Sequence, residues 1–243
     1  MILFIYYTIL LVLFASLASF FMVVGSRTVY QQSFTLGRSK CDHCQVAISP
    51  IALIPLLGYI IIGGKCTHCK QPIPFAYPLC EGYFAISSLL LFRGHSNINS
   101  IYIFIAFIIL LMMTSTDLAL QIIPDRFQII LCILVIIYHY QNMHLEILTH
   151  SIFALLIFTT LITCNYLLPQ GIGGGDIKTL TILALFHGPL SFPYLLMCAC
   201  GLAICHIFYL KLKYNNLPSG LPFLPYFFFC LSHLFLYTVD NKL

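Results

Sequence analysis

Two carboxylates in this chain sit where a carboxylate is expensive. Asp117 closes an apolar run in TSTDLAL, and Asp176 follows a glycine run in GIGGGDIK, with apolar sequence on both sides of each. An ionisable group at membrane depth is costly enough that it is usually paired or functional. Two carboxylates close enough to share a proton form the core of an aspartic protease. One acts as base toward water, while the other, protonated, hydrogen-bonds the scissile carbonyl. Only seven acids occur in the chain. Asp42, Glu146 and Asp240 fall in loops or the tail, so Asp125 in IIPDRF and Glu81 in YPLCEGYF are the other two that need an explanation.

The glycines before Asp176 exclude one chemistry and suit another. A phosphate-cradling loop requires Lys and then Ser or Thr after its last glycine, and here Asp176 stands in that place. Gly173, Gly174 and Gly175 instead let a substrate strand approach the backbone closely. Asp176 could also cap the helix it opens, which is compatible with catalysis. Asp125 reads as an ion pair with Arg126 or an N-cap ahead of catalysis. Glu81 reads equally as a satisfied interfacial acid. Lys178, two residues past Asp176, either snorkels to the surface or biases the ionisation of that carboxylate.

A second constellation is CDHC (Cys41, Cys44) and CTHC (Cys66, Cys69), two C-x2-C knuckles separated by 21 residues. Four thiolates so spaced suit a tetrahedral structural zinc, at a separation just beyond the usual range of about 15 to 20. A small loop with little core of its own gains folding free energy from the metal. His43 and His68 read as polar residues in tight turns. The other seven cysteines lie in apolar runs and read as small buried hydrophobes.

Composition determines the elements that must position these groups. The chain is 60% hydrophobic and 7% charged, against about 25% charged in soluble proteins. Its apolar runs approach the roughly 20 residues of a bilayer-crossing helix, not the alternating segments of a membrane β-barrel. The expectation is an all-α integral membrane protein, a polytopic bundle of about eight transmembrane helices with a small zinc-binding loop domain. Expected spans fall near 2–24, 79–93, 99–117, 125–141, 148–168, 177–188, 191–211 and 221–238. The first is too long for a secretory signal core and reads as a retained span. Domains follow as a first helix over 1–24, a loop domain over 25–78 and a membrane core over 79–243. Residues 51–62 (IALIPLLGYIII) are too short to span and should cover a small domain or lie against the membrane surface. No internal repeat stands out.

An outward N-terminus puts nine of the eleven Lys and Arg residues on one side, Arg93 and Lys242 alone on the other. Such an asymmetry marks the cytoplasmic side. The cysteine loop, Asp117, Asp125 and GIGGGDIK then share the cytoplasmic face.

In order and topology these pieces resemble the bacterial type IV prepilin peptidases, including competence-type members. The matching stretches are Gly25-Ser26 after the first span, GRSKCDHCQ, KCTHCKQPIPFAYPLCE, DLALQIIPD and GGGDIK. The resemblance implies an eight-span aspartic endopeptidase of the bacterial cytoplasmic membrane that cuts the leader from prepilins or pseudopilins. It would make Asp117 and Asp176 the catalytic pair, Gly173 and Gly175 part of a GxGD signature, and Asp125 a supporting acid. Membrane lipid is an expected partner and nucleic acid is not. Many family members also methylate the new N-terminus with S-adenosylmethionine, a role linked to the zinc-bearing region. The family's usual Phe and Asn after Gly-Ser are replaced here by the run GSRTVYQQSF, so cleavage is matched at more positions than methylation.

Two other readings account for part of the pattern. A thiol-disulfide membrane protein would use the C-x2-C pairs but leaves the aspartates and glycines unexplained. An ion or small-molecule transporter would use the intramembrane acids but leaves the knuckles without a role.

Overall fold

The computed structural model describes residues 1–33, 39–41, 43–94, 98–142, 146–168, 171–214 and 220–231. Among them all regular elements are helices: α1 (Ile2–Val29), a 3-10 turn (Pro50–Leu53), α2 (Leu57–Ile61), α3 (Ala76–Gly94), α4 (Ile98–Leu120), α5 (Asp125–Gln141), α6 (Glu146–Leu167) and α7 (Gly174–Tyr214). A last helical segment covers 224–231. By length and hydropathy α1, α4, α6 and most of α7 are long and apolar enough to cross a membrane. The expected spans over 177–188 and 191–211 are the two helical parts of α7, which meet at a break at Gly188, and the expected eighth span extends beyond the described residues.

α4 is the hub. Of its most apolar stretch 61% is buried, against 6% for α6, and it packs against α1, α3 and α5. Phe107 of α4 stacks between Phe84 of α3 (centroids 5.0 Å apart) and Phe228 of the last segment (4.6 Å). Such offset aromatic contacts add to the area they bury. α1 approaches α4 closely at Gly25, where an added Cβ would stand 2.5 Å from the Met112 carbonyl oxygen and closer still to the Ser115 hydroxyl. Small residues permit this approach in membranes, where packing rather than hydrophobicity drives helix association.

The break in α7 has an identifiable cause. Gly188 has φ 70°, and Pro189 follows it. Leu185 C=O would normally accept from the N–H four residues on, but a proline has none. His139 Nε2 of α5 and His150 Nδ1 of α6 supply that hydrogen bond instead, at 3.0 and 3.1 Å. The His150 ring occupies the space that a side chain on Gly188 would need.

The cysteine expectation needs correction. Of the seven cysteines outside the knuckles only Cys80 is buried, and Cys164, Cys198 and Cys205 lie on outer helix surfaces. In a membrane protein the outer surface is as apolar as the core, so apolar neighbours do not signal burial.

Replacing Gly25 with Leu is expected to force α1 away from α4 and destabilise the bundle by about 1–3 kcal/mol. A lowered thermal midpoint of purified protein in detergent, with Gly201→Leu as the control where an added Cβ meets nothing within 4 Å, measures it.

Candidate active site and four-cysteine centre

The end of α4 carries Thr114, Ser115, Thr116 and Asp117, all buried. The Ser115 and Thr116 hydroxyls turn back onto the Met112 and Met113 carbonyls, so these side chains satisfy themselves locally. Asp117 reaches outward: its Oδ2 accepts the Leu224 N–H at 3.0 Å. That donor belongs to the first turn of the last segment, whose free N–H groups favour a nearby carboxylate.

Asp176 lies half-buried in the first turn of α7, close enough to Asp117 for its charge to act on that residue. Two aspartates 59 residues apart in sequence thus lie within electrostatic range of each other. The glycines ahead of Asp176 differ in what surrounds them. A Cβ on Gly173 would stand 3.0 Å from Asp176 Oδ2, and one on Gly175 would stand 3.1 Å from Ile123 Cβ in the α4–α5 connection. A Cβ on Gly174 would meet nothing within 4 Å.

Three expected site residues lie apart from this pair. Lys178 Nζ bonds Asp125 Oδ1 at 2.6 Å, and both side chains are more than half exposed. Lys178 therefore pairs with Asp125 and not with Asp176. The Asp125 partner is Lys178, not Arg126, and the cap position belongs to Pro124. An exposed pair of this kind is worth about 0–1 kcal/mol. Glu81 accepts the Leu56 N–H at 3.1 Å and lies within reach of the Ser19 hydroxyl of α1, which makes it a satisfied acid joining the loop domain to two helices.

Several residues at the site carry no sequence motif. Gln128 of α5, buried, donates through Nε2 to the Gly175 carbonyl (2.9 Å) and the Thr179 hydroxyl (3.2 Å), tying the start of α7 to α5. An amide in an apolar helix was its only signal. Tyr226, within electrostatic reach of Asp117, hydrogen-bonds His206 of α7. The Leu224 amide is a backbone group that no side-chain pattern announces.

The four loop cysteines do converge. Their sulfurs all lie within 4.8 Å of one another, with Cys41 Sγ 3.8 Å from Cys69 Sγ and Cys44 Sγ 3.9 Å from Cys66 Sγ. Zn–S bonds of 2.3 Å in a tetrahedron require S···S edges of about 3.8 Å, so the donor set fits zinc. Each of these two distances joins one knuckle to the other.

Each knuckle has the same build. Cys41 N–H donates to Val46 O and Cys66 N–H to Gln71 O, while Gln45 N–H returns to Cys41 O and Lys70 N–H to Cys66 O. Gln45 (φ 56°) and Lys70 (φ 61°) both turn left-handed just after the second cysteine. The loop thus contains a local duplication, KCDHCQ and KCTHCK, that the sequence analysis did not separate as a repeat. His43 and His68 are exposed at the tips. The backbone N–H of Cys69, then that of His68, hold the Cys66 thiol down at about 6, which favours the thiolate a metal needs. Beside the centre, Lys40, His43, Ile48, Ile62, His68 and Tyr77 help line a cavity of about 230 Å³.

Residues 12–94 match the bacterial peptidase A24 N-terminal domain, and residues 104–209 match the type IV leader peptidase family. The chain belongs to the type IV leader peptidase family. It is 27% identical over 210 residues to a prepilin leader peptidase/N-methyltransferase of Legionella pneumophila, covering 82% of this chain and 71% of that one. Similar enzymes come from Vibrio cholerae (26%, covering 73% and 72%) and Bacillus subtilis (29%, covering 71% and 70%). No solved structure matches.

Two outcomes are expected. Gly173→Ala should displace the Asp176 carboxylate and lower leader-cleaving activity about 100-fold, the scale of a 1 Å misplacement, whereas Gly174→Ala should stay near wild type in the same assay. Elemental analysis of purified protein should find about one zinc per chain, and Cys66→Ser should lose it.

Proposed function

We propose that this chain is a membrane aspartic endopeptidase that removes the leader peptide of type IV prepilins or pseudopilins. Asp117 and Asp176 form the catalytic pair. The observation that carries this reading is a buried carboxylate on α4 within electrostatic reach of a half-buried one at the glycine-lined opening of α7.

In this mechanism one aspartate takes a proton from a water held between the pair. The other, protonated, donates to the scissile carbonyl and stabilises the developing oxyanion. The Leu224 N–H donates to Asp117 Oδ2 and so fixes the orientation of the carboxylate that works on water. Gly173 keeps the space beside Asp176 clear for the substrate backbone, and Gln128 holds the α7 start in register through the Gly175 carbonyl. Asp125 and Lys178 act at a distance, anchoring α5 to α7 at the surface.

The active site faces the cytoplasm of a bacterial inner membrane, as the one-sided placement of Lys and Arg supports. Four thiolates bind a structural zinc, which would cross-link the two ends of the loop between α1 and α3. A thiol-disulfide role is disfavoured because it leaves Asp117, Asp176 and the glycines without a part.

N-methylation is part of the relatives' names. The cavity beside the cysteines offers Lys40, His43 and His68 and no carboxylate among its described lining, a set that does not suit the sulfonium and ammonium of S-adenosylmethionine.

Asp117→Asn and Asp176→Asn should each abolish leader removal from a co-expressed pilin-like substrate while the membrane level of the enzyme holds. Normal processing by either variant would refute the assignment.

A further inference from the structure

The apolar stretch 51–62 neither spans nor buries itself. Leu57, Ile60 and Ile61, at i, i+3 and i+4 on α2, are 58%, 71% and 61% exposed, and Ile51 and Phe75 are equally open. Ile51 and Ala52 pack against Gly58, and Phe75 meets Tyr59 edge-on at 6.0 Å. The five residues therefore belong to one small unit. An exposed apolar cluster of this kind marks a partner surface.

The position of that unit identifies the partner. Leu56, at its centre, donates its N–H to Glu81 and lays its side chain on Gly82. Glu81 is the sixth residue of α3 and also meets Ser19, the eleventh residue from the C-terminal end of α1. Within the expected spans 2–24 and 79–93, Ser19 lies five residues and Glu81 two residues past the loop-side boundary, about 8 Å and about 3 Å of helix rise. The segment thus descends beside two membrane helices rather than standing above them.

Its backbone suits that depth. The N–H groups of Ala52, Ile54, Leu57, Gly58, Ile60 and Ile62 all donate to carbonyls within the segment or just before it. Leu56, held at φ 60°, is the residue whose N–H Glu81 takes. Non-helical backbone at membrane depth requires this kind of internal satisfaction. Cations flank the unit rather than interrupt it, with Lys40, Lys65 and Lys70 exposed around the knuckles. That arrangement complements an anionic headgroup layer above an apolar wedge.

We propose that residues 51–61 and Phe75 form a re-entrant wedge seated among the acyl chains of the bilayer leaflet bordering the four-cysteine centre, and that it holds the centre against the membrane surface. The occupant of the apolar face is lipid. This inference rests on the membrane fold and not on the peptidase assignment.

The chain contains no tryptophan, so a single one reports on its own position. Ile60→Trp enzyme would be reconstituted in phosphatidylethanolamine and phosphatidylglycerol vesicles with acyl chains brominated just below the headgroups. Leu155→Trp on α6, exposed on the outer surface, serves as the lipid-facing reference. The expected result is short-wavelength emission from Ile60→Trp and quenching at least half as strong as for the reference. Long-wavelength emission accessible to acrylamide would overturn the proposal. So would short-wavelength emission that bromolipid does not quench, because protein would then cover the wedge. Phe75→Trp reads the same outcomes if Ile60→Trp is poorly expressed.

Discussion

Everything in the membrane core is arranged around one buried carboxylate. Asp117 cannot be left alone in an apolar bundle, and its stability there depends on donors brought from elsewhere in the chain. Its nearest donor is a backbone N–H at the start of the last segment, 107 residues away in sequence. For that bond to form, the last segment must lie on α4, and the Phe84, Phe107 and Phe228 stack is the packing that puts it there. Asp176 must then enter on the open side, which requires an α7 start without side chains in the way. The fold class, helix order and glycine run therefore follow from a single constraint.

Much of this was legible from the sequence because membranes simplify the reading. Scarce acids stand out in apolar sequence, so Asp117 and Asp176 could be singled out by elimination. The knuckles were legible for a different reason: the local geometry of C-x2-C turns is encoded within six residues. Long-range satisfaction was not legible. Nothing about Lys178 says that it turns to Asp125, since either aspartate is within reach of so long a side chain. Gln128 and the Leu224 amide were hidden because one is neutral and the other belongs to the backbone. The cysteine error has the same root, for an apolar run locates a residue in the bilayer without saying whether it faces protein or lipid.

The loop domain shows how two weak modules become one. Each knuckle is too small to hold a core of its own, and four sulfurs at tetrahedral spacing join the pair. Glu81 then ties the segment between them to α1 and α3. An acid that first reads as a catalytic candidate serves instead to hold a strained backbone turn in place, which the Leu56 φ of 60° requires.

The interruption of α7 at Gly188 separates the helix that carries Asp176 from the one that follows. The first part holds 14 residues before the break, a rod of about 20 Å, too short to cross the bilayer alone. Both of its ends are fastened by side chains of other helices, Gln128 at one and His139 and His150 at the other. Such a rod can tilt as a unit without unwinding. The start of α7 is therefore mechanically linked to its far end, where the His139 and His150 rings hold the Leu185 carbonyl.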